Sequence, residues 1–142
     1  MKKILLLLLL SISVAPAWAL TAEEKGLKIA QNADQRDSCW GDQKQTLEMI
    51  LRNKQGQESR RQIRGRSLEV KGDGDKSMSI FDTPAEVKGT AFMSFTHVNK
   101  PDDQWLYLPA LKRVKRIASK NKSGPFMGSE FAFEDMSSQE VE

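Results

Sequence analysis

Residues 103–136 read DQWLYLPALKRVKRIASKNKSGPFMGSEFAFEDM, and the character of the fold turns on this stretch. Gln104 to Leu108 is apolar and aromatic at both parities, the pattern of a strand covered on both sides. Pro109 ends it, because a proline has no N–H to give to a sheet ladder. Lys112 to Ser119 follows as a basic strand with Val114 and Ile117 interspersed. Ser123-Gly124-Pro125 marks a loop. Gly128 to Glu134 then reads as one more strand, with Phe131 and Phe133 two apart and so on one face. As the last strand it would form an edge with exposed rings and unpaired backbone groups.

Working back toward the N-terminus, the same short-strand rhythm continues. Gly89 to Thr96 places Ala91, Met93 and Phe95 on one face and Phe92 on the other. Lys76 to Phe81 does the same with Met78 and Ile80. Asp82-Thr83-Pro84 closes that strand, and Lys71-Gly72-Asp73-Gly74-Asp75 precedes it. This acid–glycine alternation lacks the further oxygen ligands of a calcium loop and reads as a turn. Glu58 to Val70 is a polar strand on which Arg60, Gln62, Arg64 and Arg66 share a face if no bulge intervenes. That face is either solvated or presented to a headgroup or partner. Asn53 to Gln57 is a hairpin loop joining it to Lys44–Arg52, where Leu47, Met49 and Leu51 align. Ahead of these, Thr21-Ala22-Glu23-Glu24 is a capping box opening an amphipathic helix to about Asp37. One helix followed by seven short strands without a βαβ rhythm predicts a mainly β protein built on a meandering antiparallel sheet.

The N-terminus has the anatomy of an export signal. Lys2 and Lys3 precede an apolar run from Ile4 to Leu10, and Ala17-Trp18-Ala19 is an A-x-A site, so cleavage is expected after Ala19. Residues 1–19 are the leader and 20–142 the single domain. The mature chain is then expected in the periplasm. The chain has 142 residues, 29% of them charged, with mean hydropathy −0.53, within the range of a globular protein. Of its 22 basic residues two lie in the leader, so the rest nearly balance the 19 acidic ones and the basic patches are local. Cys39 is the sole cysteine and reads as a partly buried small side chain near the helix end.

No catalytic constellation emerges. His97 is the single histidine and reads as a surface residue, so neither a metal site nor a Cys-His pair can be assembled, and no cofactor motif is present. The run Lys112, Arg113, Lys115, Arg116, Lys120 and Lys122 would suit nucleic acid in another compartment. Here it reads as paired with Glu130, Glu134 and Asp135, or as a contact for anionic lipid or a transporter. What the chain supplies in quantity is large apolar side chains, many of them methionine. They can fill an ordinary core, or they can line a groove for acyl chains, which a flexible, polarizable side chain suits.

The segments WLYLPALKRVKRI and GPFMGSEFAFEDM, with Asp82-Thr83-Pro84 and Lys88-Gly89-Thr90 upstream, closely resemble the outer membrane lipoprotein-sorting proteins, the LolA-like periplasmic carriers. The resemblance covers residues 21 to 142. Because such proteins continue for several more strands, the chain is expected to be an N-terminal portion. The resemblance implies a strongly curved antiparallel sheet, an incomplete β-barrel of the LolA/LolB type with a helical lid. It implies a non-enzymatic carrier for the acyl chains of lipoproteins or lipids, working beside an inner-membrane RND/MMPL transporter. Met93, Phe95, Trp105 and Tyr107 are the groove candidates on that reading, and Arg113 and Arg116 the headgroup or partner candidates. The alternative is an accessory module that docks on a transporter through its basic strands without carrying lipid.

Overall fold

The computed structural model describes residues 20–137. The leader and its cleavage site lie outside the described residues. A single helix, α1 (Ala22–Arg36), precedes six strands: β1 (Asp42–Arg52), β2 (Glu58–Leu68), β3 (Lys76–Thr83), β4 (Ala91–Phe95), β5 (Asp103–Leu108) and β6 (Arg113–Ile117). All neighbours are antiparallel, and spatial order equals chain order. The result is a curved meander that does not close, with β1 and β6 as its edges.

Local chemistry sets the boundaries. At the start of α1, Thr21 Oγ1 accepts from the Glu24 N–H (3.1 Å) while the Thr21 N–H donates to Glu24 Oε2 (2.8 Å), satisfying two donors that the first helical turn leaves open. No residue of α1 is buried, and Leu27 and Ile29 face solvent. The helix is tethered instead through the short linker between it and β1. The Glu69 carboxylate, beyond β2, accepts from the backbone N–H groups of Cys39 (2.6 Å) and Gly41 (2.8 Å). Those bonds, Gly41's foremost, hold the Glu69 carboxyl below its ordinary range. Cys39 is exposed rather than partly buried, since it sits in this linker at positive φ and not against the sheet. Between β1 and β2, Asn53 Oδ1 accepts from the N–H groups of Gln55 and Gln57 and so shapes the hairpin turn.

Cross-strand register divides the apolar residues into two sets. Paired residues in an antiparallel sheet point to the same face. One face carries Ile63, Phe81, Phe92, Leu106 and Ile117, all buried, with Met49 packed against them. The chain beyond β6 folds across this face and seals it. Phe126 is 2% exposed and lies edge-on to Phe92 (5.2 Å between centroids) and Phe133 (5.5 Å), with Phe81 at 6.2 Å. Met127 and Met136 complete the cover. Burial of each such side chain is worth about 1.5–3 kcal/mol.

The covering segment is not the seventh strand that its alternation predicts. Met127 and Gly128 both adopt positive φ, which an extended strand does not allow. The backbone closes on itself instead: the Phe126 N–H donates to the Phe131 carbonyl (2.6 Å), and Pro125 and Ala132 form an isolated bridge. Phe133 turns into the core while Phe131 is left exposed, so the two rings do not share a face. Arg61 locks the turn from β2 by donating to the Met127 carbonyl (2.6 Å). The edge strand is therefore β6. Residues 104–108 are likewise covered on one side only: Gln104 and Leu106 are buried, whereas Trp105 is half-buried and Tyr107 exposed.

Gln104 is wholly buried under the same cover. Its Nε2 donates to the Phe133 carbonyl (2.8 Å) and to Ser137 Oγ (3.0 Å), and Ser137 Oγ is also 3.2 Å from Ser94 Oγ. These polar bonds fix where the segment ends on the sheet. His97, expected at the surface, is buried too, with its side chain 8% exposed. The β2–β3 turn brings Asp73 Oδ2 to 2.7 Å from His97 Nδ1, and Asp103 Oδ2 lies 3.5 Å from Nε2. The turn approaches so closely because Gly74 has no Cβ: one placed there would meet the Thr96 backbone at 2.6 Å. His97 thus ties the turn before β3 to the start of β5.

Candidate functional site

The opposite face of the sheet has no cover among the described residues. Register builds it in rows that run across the strands. One row is Lys44, Arg66, Met78, Met93, Trp105 and Arg116; a second is Ile80, Ala91, Tyr107 and Val114; a third joins Lys76, Phe95 and Asp103. Met78, Ile80, Met93, Phe95 and Trp105 are half-buried. They shield one another, and among the described residues no element lies above them. Phe95 and Trp105 meet edge-to-face at 5.1 Å between centroids, and Lys76 Nζ stands 4.9 Å from the Phe95 centroid.

All four groove candidates, Met93, Phe95, Trp105 and Tyr107, lie on this face, in adjacent positions of β4 and β5. Met78 and Ile80 extend the apolar surface onto β3, where the sequence places them on one face of their strand without aligning that face with Met93. A cleft of about 320 Å3 opens against Met78, Met93 and Phe95 and reaches β1 and β2 at Lys44 and Leu68. This is at the small end of ligand-binding clefts, which span about 300–1,000 Å3.

The two arginine candidates separate. Arg116 is on the open face beside Trp105, where it donates to Asp103 Oδ1. Arg113 pairs across to Leu108 and is on the other face, exposed. Asp103 is held below the ordinary carboxylate range first by Arg116, with His97 adding to it. Of the basic run, Arg116 pairs with Asp103 and Lys122 lies 3.6 Å from Asp102; among the described residues neither pairs with Glu130, Glu134 or Asp135. The β4–β5 loop brings these aspartates beside β6, whereas the Asp135 carboxylate is occupied by the Ala132 N–H (2.7 Å).

On β2, Arg60, Gln62, Arg64 and Arg66 share the open face, since the irregularity between β2 and β3 leaves the β1–β2 register unbroken. Arg60 contacts Glu48 (3.0 Å) and Glu58 (2.8 Å), and Arg64 contacts Asp82 (2.6 Å). These bonds lower the Glu58 and Asp82 carboxyls and raise the two guanidinium groups. Most of the polar strip is thus internally neutralised. Among the described residues no group of three or more His, Cys, Asp or Glu side chains is arranged to hold a metal ion, and no helix is long and apolar enough to cross a membrane.

Among the described residues the sheet therefore has one sealed face and one open, largely apolar face. Comparison with known proteins places it further. A solved outer membrane lipoprotein-sorting protein domain from Vibrio parahaemolyticus is 64% identical, with a TM-score of 0.80 over 83% of this chain and 50% of its own. A DUF1329 family protein from Desulfovibrio piger ATCC 29098 is 29% identical, with a TM-score of 0.75 over 82% of this chain and 50% of its own. A family model described as "Uncharacterized protein" matches residues 73–142. The search of curated proteins found no match. The chain is thus similar to outer membrane lipoprotein-sorting protein domains, and spans about half the length of the solved structures it matches.

Proposed function

We infer that the protein is a periplasmic carrier that holds the acyl chains of lipoproteins or lipids against the open face of its sheet, for transfer toward the outer membrane. The single observation that supports it most is the separation of faces. The core on one side has its own cover, and Met78, Met93, Phe95 and Trp105 lie outside it, on the other face. Exposing such side chains to water costs about 25 cal/mol for each Å2 of apolar surface, and an acyl chain laid across them recovers that energy. Two methionines at the centre suit a surface that must accept chains of differing length and saturation.

No bond is made or broken in this activity. Loading and release depend on the relative affinity of donor, carrier and acceptor for the same chain. The leader is the export signal, and an RND/MMPL-type transporter is the proposed inner-membrane partner. The exposed basic edge at Lys112, just before β6, and at Arg113 and Lys115 of β6 is the surface we assign to it. α1, which buries no side chain on the sheet, is the element free to act as a lid.

Met93→Asp tests the reading. It places a carboxylate in the middle of the open face and leaves the sealed core untouched. Uptake of a fluorescent fatty acid by the purified variant should be abolished while its circular dichroism stays that of the parent. Uptake equal to the parent's would overturn the assignment of this face.

A further inference from the structure

The open face is not neutral at one end. Lys44, Arg66 and Lys76 stand exposed around the cleft whose floor is Met78, Met93 and Phe95. Lys44 and Arg66 are direct cross-strand partners, and like charges placed opposite one another are destabilising. Elsewhere on this face the arrangement is the reverse: Arg52, Arg60, Arg64 and Arg116 each contact a carboxylate. Among the described residues Lys44, Arg66 and Lys76 make no ion pair. Asp42 also borders the cleft, as the lone acidic group beside three cations. Three unpaired cations at the mouth of an apolar cleft complement one kind of ligand: an amphiphile with an anionic head and an apolar chain.

Resting on the carrier reading above, we propose that the ligand class is an acyl amphiphile with an anionic head. The head sits among Lys44, Arg66 and Lys76, and the chain runs over Met78, Met93 and Phe95 toward Trp105. At about 30 Å3 for each group the size of a water molecule, the cleft holds roughly ten such groups before the chain continues along the row. The headgroup relieves the repulsion between Lys44 and Arg66, so binding gains from a charge arrangement that the free protein bears at a cost. Lys76 is the most constrained of the three, since its ammonium lies against the Phe95 ring and is fixed between the two halves of the ligand.

A matched pair of probes isolates the headgroup: one fluorescent fatty acid and its uncharged methyl ester, titrated at pH 7.5. The acid should bind about fivefold to tenfold more tightly than the ester, as expected for a few exposed charge pairs. That ratio should shrink as sodium chloride is raised. In the Lys44→Gln/Arg66→Gln double variant it should fall to near one. Lys54→Gln, in the β1–β2 turn away from the cleft, should keep the parent ratio. Both probes binding equally would overturn the anionic-head assignment and leave the carrier reading standing. Neither probe binding the folded protein would overturn both. A ratio that survives the double variant would place the headgroup elsewhere and also overturn the proposal.

Discussion

Phe126→Ala and Met93→Ala remove large side chains from opposite sides of the same sheet, and they should differ sharply in what they cost. Phe126 is 2% exposed, with three aromatic rings within 6.2 Å of its own. Truncating a phenylalanine in such a site costs about 3–5 kcal/mol, because the cavity cannot close around fixed neighbours. Whole domains are stable by only about 5–15 kcal/mol, so this one change removes a large fraction of the total. Met93 is half-buried and has solvent on its outer side, so the neighbours lose less contact and water fills the gap; a cost of about 1 kcal/mol or less is expected. Urea denaturation of the purified proteins reads the difference directly. With a slope of about 2 kcal/mol per molar urea, Phe126→Ala should lower the midpoint by roughly 2 M and Met93→Ala by at most about 0.5 M. Equal shifts would refute the two-face reasoning, since they would show that Met93 belongs to the core and that the open face is closed in solution.

Two further outcomes rest on the polar contacts. Glu58, Glu69, Asp73, Asp82 and Asp103 all have depressed folded-state pKa values. Each therefore contributes stability above its unfolded value near 4, and loses it as pH falls through the lower folded value. Asp75 has the opposite sign: burial raises it, so its contribution is present at low pH and lost as pH rises. With five groups against one, Tm should fall steadily between about pH 5 and pH 2, and a flat or rising Tm in calorimetry over that range would count against these contacts. Separately, Gln104→Ala removes the donor that the Phe133 carbonyl and Ser137 Oγ use, at a cost of about 1–3 kcal/mol. Hydrogen exchange should show faster exchange in residues 124–137, whereas unchanged protection there would show that the segment is held by its aromatic contacts alone.

How far the sequence predicts all this depends on the range of the interaction involved. The six strands and the capped helix are legible because alternation, turn residues and the Thr21–Glu24 box are local signals. Which parity of one strand faces which parity of the next is not local. Met49 and Met93 are both at odd positions in alternating strands, yet Met49 packs on the sealed core and Met93 lies on the open face. Only the register of each turn decides this, and a shift of one residue would exchange them. Residues 128–134 mislead for a related reason: Phe131 and Phe133 alternate as in a strand, but the positive φ at Met127 and Gly128 and the aromatic cluster around Phe126 favour a compact turn. Nor does anything next to His97 in the chain announce that Asp73, 24 residues earlier, will reach it.

The division of side-chain types between the two faces carries the functional argument further than either face alone. The sealed side buries phenylalanine, isoleucine and leucine, with Met49, Met127 and Met136 packed at its margin, rings set edge-on and a buried glutamine fixing the cover in one place. These are choices that specify a single arrangement. The open side uses methionines flanked by aromatic residues, bordered by arginines that are mostly paired with carboxylates. Paired charges at the border limit non-specific adhesion of an apolar face in water, since another protein would have to desolvate them. A flexible chain that lies between the borders meets no such penalty. On the proposed carrier reading, the same framework favours an acyl chain over a protein surface as the occupant of this face, with the sealed core holding the sheet in shape in either state.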